Sequence, residues 1–77
     1  MKTTYDIVVD VICDIGCVDE ADIKSVATFE EMNLDSLDMV EIMLELEGYF
    51  DLDINDETFA SCKTVDDVVK LIDKLRA

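Results

Sequence analysis

Between Ser36 and Phe50, apolar side chains fall at positions 37, 40, 43, 44, 46 and 50, with acids at 38, 41, 45 and 47. That period belongs to an α-helix and is incompatible with the strict alternation of a half-buried strand. At about 100° per residue, Leu37, Met39, Val40, Ile42, Met43, Leu44, Leu46 and Phe50 cover roughly 220° of the wheel, and Asp38, Glu41 and Glu45 crowd into about 60°. One acidic side must therefore face water. The wide apolar remainder predicts a helix that is central in its bundle, lines a space another molecule can enter, or both.

Two further segments share the period. From Thr4 to Ile15, residues Ile7, Val8, Val11, Ile12 and Ile15 form one face and Asp6, Asp10 and Asp14 a narrow opposite stripe. Thr3 or Thr4 suits the N-cap and Gly16 a C-terminal stop. From Thr64 on, Val65, Val68, Val69, Leu71, Ile72 and Leu75 form an apolar stripe, Thr64 with Asp67 make a variant capping box, and Asp66 can pair with Lys70 one turn later. Asp56 to about Ser61 predicts a short helix that carries Phe59 inward.

Cys17 to Asp35 has no sustained period, and a connection that long in a compact domain is pinned or functional. Val18, Ile23, Val26, Phe29, Met32 and Leu34 are spaced as anchors, and Asn33 suits a turn conformation. The expectation is an all-α fold: a small four-helix bundle, three helices long and one short, with a long first loop, forming a single domain over residues 1–77.

The charge narrows the partners. Twenty acids against six bases give a formal net charge of −14, which argues against nucleic acid and anionic membrane surfaces and favours basic protein surfaces. From Asp19 to Cys62 there are fourteen acids and one base, Lys24, so the middle of the chain is the expected docking region. Hydrophobic residues make up 51% of the chain, too many for an acidic disordered segment. No apolar run approaches the roughly 18 residues of a membrane span, and no basic n-region precedes one. A cytoplasmic location is the expectation.

Cys13, Cys17 and Cys62 show no disulfide framework, and as a three-thiolate zinc site they lack a histidine to complete the set. Asp51, Asp53 and Asn55 mimic the first ligands of an EF-hand loop, but Asp56 stands where glycine is needed and Cys62 where the bidentate glutamate is needed. No metal site is expected. Nor is enzymatic activity, because there is no histidine, no glycine-rich phosphate loop and no base near Ser36 in sequence.

Ser36 stands at the helix start between Asp35 and Asp38. Read locally, Asp35 or Ser36 is an N-cap worth about 1 kcal/mol. The same place would also tolerate a phosphate on Ser36, since unpaired N–H groups and the positive end of the helix dipole lie there. Asp35-Ser36-Leu37-Asp38-Met39-Val40-Glu41, followed by Leu46-Glu47 and Phe50 to Ile54, resembles the centre of an acyl carrier protein of the discrete fatty-acid or polyketide type, and the resemblance covers nearly the whole chain. It implies 4'-phosphopantetheine, drawn from coenzyme A, on Ser36, with acyl groups held as thioesters on its thiol. The implied partners are a phosphopantetheinyl transferase and acyl-transferring and condensing enzymes with basic docking patches, met by a monomer that does not insert in membranes. Asp35, Asp38, Glu41, Glu45, Glu47 and Asp56 are the expected docking acids. By the same resemblance an acyl chain would shelter near Leu46, Phe50, Ile54, Phe59, Cys62 and Val68. Asn33-Leu34 stands where Gly-Ala is common, Asn55 where proline is common, and Gly48 and Tyr49 where acids are common. Peptidyl, aryl and D-alanyl carriers share the motif architecture, and an unmodified acidic cation- or protein-binding module is the reading in which Ser36 is only a cap.

Overall fold

In the computed structural model, which describes residues 2–24 and 26–76, the chain forms helices α1 (Thr4–Gly16), α2 (Ser36–Phe50), α3 (Asp56–Ala60) and α4 (Val65–Arg76). Strands are absent among the described residues. The long helices lie where their periods place them because each buries one stripe. Val8, Ile12, Ile42, Leu46, Val65, Val68 and Ile72 are fully buried in one continuous core. α1 is the central element and packs on both α4 and α2. The Cα radius of gyration is 11.1 Å, close to the roughly 11.5 Å of a folded chain this long.

Side-chain caps set the helix starts. Thr3 Oγ1 accepts from Asp6 N at 3.2 Å while the Asp6 carboxylate accepts from Thr3 N at 3.1 Å. Thr64 and Asp67 repeat the arrangement at α4, each bond being 3.2 Å. Asn55 Oδ1 caps α3 by accepting from Glu57 N and Thr58 N at 2.9 and 3.1 Å, an office proline could not fill. The Asp66–Lys70 pair forms at 3.0 Å on the surface of α4.

The long loop is fastened rather than free. A 3₁₀ turn, Glu20–Asp22, interrupts it, a feature too short to leave a period. Ile23 and Phe29 are buried and Val18, Met32 and Leu34 half-buried, but Val26 is 76% exposed and anchors nothing, a correction to the anchor pattern. Phe29 N donates to Lys63 O at 3.0 Å, so the loop is stitched to the start of α4 through an isolated Thr28–Thr64 bridge.

Two further expectations need correcting. Gly16 does not stop α1 by its own conformation. It is the last helical residue, and the left-handed residue is Cys17, at φ 54°. What glycine gives at 16 is space: a Cβ there would lie 2.5 Å from Leu34 Cδ2, so the leucine side chain would have to shift. Nor is α2 surrounded by core. Leu37, Val40 and Leu44 are 65%, 48% and 57% exposed, because only α1 packs extensively along this helix.

Candidate functional site

Ser36 is delivered by two local devices. Asn33 adopts φ 59°, the left-handed conformation that asparagine tolerates better than most side chains. Asp35 then caps α2: its Oδ1 accepts from Asp38 N at 2.9 Å, and Asp38 Oδ2 accepts from Asp35 N at 3.3 Å. With the aspartates making the capping box, the Ser36 hydroxyl is left outside the cap and exposed. The backbone N–H groups of Ser36 and Leu37 belong to the first turn, where no intrahelical acceptor exists.

Beside Ser36 opens a cleft of about 360 Å³ between α2 and α3, walled by Met39, Val40, Met43 and Phe59 with Asp56 at its rim. A second cleft of about 250 Å³ adjoins it, between the loop and α3, with Phe29 and Cys62 among its walls. Met39, Phe59 and Ala60 line both. Burial pushes the Cys62 thiol above its ordinary pKa, with the Asp67 charge adding to it, so Cys62 is a neutral wall at pH 7. An exposed hydroxyl, unpaired first-turn amides and an adjoining apolar cleft suit a phosphate-linked arm whose far end is apolar. The residues present fit such a group.

The acids occupy distinct situations. Glu41 and Glu45 are exposed on α2 and, with Ile15 and Leu44, border a shallow groove on the α1 side. Asp35 and Asp38 each use one oxygen in the capping box, and Asp56 is exposed at the start of α3. Glu47 differs: half-buried, it accepts from Ile54 N at 3.0 Å and fastens the chain that follows α2. Leu46, Ile54, Phe59 and Val68 are buried, and Phe50 and Cys62 are half-buried at the edges of the same core.

Sequence reasoning missed the exposed row Leu37, Val40 and Leu44, which runs beside Asp38, Glu41 and Glu45. The available signal was the narrow acidic sector bordered by apolar residues on both sides. Arg76 was missed as well, and its guanidinium lies 4.9 Å from the Phe50 ring centroid. Among the described residues no group of three or more Cys, Asp or Glu is placed to hold a metal ion, and no helix is long and apolar enough to cross a membrane.

Comparison with known proteins finds two relationships. A phosphopantetheine attachment site domain matches residues 6–72. An acyl carrier protein of Phytoplasma australiense is 51% identical over 45 residues, which are 58% of this chain and 59% of that relative. The aligned stretch thus spans under two thirds of the relative's length. Because the domain match runs through α1, the loop, α2 and α3 and into α4, with covalent 4'-phosphopantetheine as its cofactor, this chain belongs to the phosphopantetheine attachment site family.

Proposed function

We propose that this protein is an acyl carrier for fatty-acid or related polyketide synthesis, and that Ser36 is its attachment residue. The observation that carries the reading is the exposed Ser36 hydroxyl, excluded from the cap of α2 by Asp35 and Asp38 and opening onto the α2–α3 cleft. When bound, 4'-phosphopantetheine supplies a flexible arm whose thiol holds the acyl group as a thioester. The chain's own residues present, shelter and steer. The first-turn amides and the positive end of the α2 dipole favour a phosphodiester on Ser36. No basic side chain adjoins Ser36 in sequence to activate it, so the transferase brings the chemistry and the protein itself is a substrate and carrier, not an enzyme.

Docking falls to α2. Leu37, Val40 and Leu44 supply an exposed apolar strip, with Asp35, Asp38, Glu41 and Glu45 alongside and Asp56 across the cleft. Basic patches on acyl-transferring and condensing enzymes complement it. Exposed pairs contribute little singly, so encounter is fast, shared across the stripe and weakened by salt over a Debye length of about 8 Å. Glu47, committed to Ile54 N, stands behind the others in this role. Leu46, Phe50, Ile54, Phe59, Cys62 and Val68 are the shelter for the acyl chain, Phe59 walling the Ser36 cleft and Cys62 the adjoining one. The whole unit acts as one domain.

The test is acyl loading. Pantetheinylated protein given an acyl donor and a fatty-acid acyltransferase should acquire a label that hydroxylamine releases, and Ser36→Ala should acquire none. A hydroxylamine-resistant label, or equal labelling of Ser36→Ala, refutes the reading.

A further inference from the structure

The inner face of α2 carries a continuous row from the candidate attachment residue to the far end of the helix. Met39 and Met43 wall the Ser36 cleft, Leu46 one turn further is fully buried, and Phe50 follows as the last helical residue. Ser36 to Phe50 spans about 21 Å at 1.5 Å per residue. The row ends at a ring held from several sides. Phe50 packs against the core. Tyr49 meets it edge-on at 5.2 Å and 65°. The Arg76 guanidinium covers it at 4.9 Å, within cation–π range.

Arg76 is itself fixed. It donates to Thr4 Oγ1 at 2.9 Å, and that hydroxyl donates in turn to Asp73 Oδ1 at 2.7 Å. Thr4 is buried at 8% exposure. One hydroxyl of α1 thus ties down the end of α4, and the end of α4 ties down the ring that closes α2. These contacts restrain the ring at the end of the row.

Resting on the carrier reading above, we propose that Arg76 is a positioning residue that fixes the Phe50 ring as an end-stop, and so sets the longest straight acyl chain the bundle can bury. Each further methylene taken into the core raises stability because apolar surface leaves water, until the chain meets the ring and the excess stays outside.

Ser36 is loaded from coenzyme A thioesters of increasing length by a phosphopantetheinyl transferase, loading is verified by intact mass, and the thermal midpoint of each form is compared with the unacylated pantetheine form. In wild type the midpoint rises with chain length and then levels off. In Arg76→Ala it levels off at a longer chain. Phe50→Leu does the same, and adding Arg76→Ala to Phe50→Leu moves the levelling point no further, which also covers the case in which Arg76→Ala alone folds poorly. A merely structural Arg76 would lower every midpoint and leave the levelling point where it is in wild type; that result, or an unmoved levelling point in Phe50→Leu, overturns the proposal. Wild-type protein that takes no load at all removes the carrier reading, and this proposal with it, whereas normal loading with unchanged profiles removes only the end-stop.

Discussion

Asp51 combines a backbone cost with an electrostatic one. It follows the last residue of α2 at φ 55° and ψ 52°, with its N–H donating to Glu47 O, and Leu52 N donates to the same carbonyl at 3.1 Å. A side chain in the left-handed region costs about 1 kcal/mol relative to glycine, less for aspartate than for most residues. Its carboxylate also sits at the negative end of the α2 dipole, an unfavourable placement of about 0.3–1 kcal/mol at an exposed site. Asp51→Gly removes both and should stabilise by about 0.5–1.5 kcal/mol, after allowing about 0.4–1 kcal/mol for the freer unfolded glycine chain. At about 4–8 °C per kcal/mol for a domain of this size, its thermal midpoint rises by about 2–12 °C. Asp51→Asn removes the charge and eases the conformation only partly, so it should gain about half as much or less. The assay is thermal unfolding followed by far-ultraviolet circular dichroism at pH 7, in low and high salt. The asparagine advantage should shrink with salt and the extra gain of glycine should persist, because backbone conformation is not screened. A midpoint for Asp51→Gly at or below wild type refutes the assignment of strain to this residue.

Three further outcomes follow from the same geometry. Gly48 lies exposed inside α2, and a Cβ added there would meet nothing within 4 Å, so Gly48→Ala should stabilise by up to about 1 kcal/mol, read as a midpoint rise of about 4–8 °C. The Asp67 carboxyl is held below its ordinary pKa, first by the Lys63 N–H and then by the Thr64 N–H; its contribution is present above the ordinary carboxylate pKa and is lost as pH falls through the lower folded value, so the midpoint deficit of Asp67→Ala at pH 7 should close on acidification below pH 4, and a deficit independent of pH contradicts this. With a formal charge of −14 on so small a body, millimolar magnesium or calcium should raise the thermal midpoint near neutral pH, and an unchanged midpoint would count against strong self-repulsion.

What could be read from the sequence was what is local. Helix starts follow from side chains reaching three residues ahead, and Thr64 with Asp67 and Asp66 with Lys70 form as their spacing predicts. Asn33 takes the left-handed turn for the same reason, since its conformation is a property of its own backbone. The Ser36 boundary of α2 was equally legible, because apolar spacing and capping residues agree there.

Neighbours were not legible. Leu37, Val40 and Leu44 fit a helical stripe as well as Ile42, Met43 and Leu46 do, and only the placement of α1 on one side decides which row is buried. Val26 carries the composition of an anchor but meets no partner. The Thr4–Arg76–Phe50 contact joins residues from both ends of the chain and the close of α2, a distance over which no local pattern carries a signal.

Attachment at the Ser36 hydroxyl is what the carrier reading stands on. It is probed by intact-mass spectrometry after incubating the protein with coenzyme A and a phosphopantetheinyl transferase under native conditions. One phosphopantetheine should be added per wild-type chain and none to Ser36→Ala. Wild type left unmodified while a known carrier in the same tube is loaded, or addition persisting in Ser36→Ala, would contradict it.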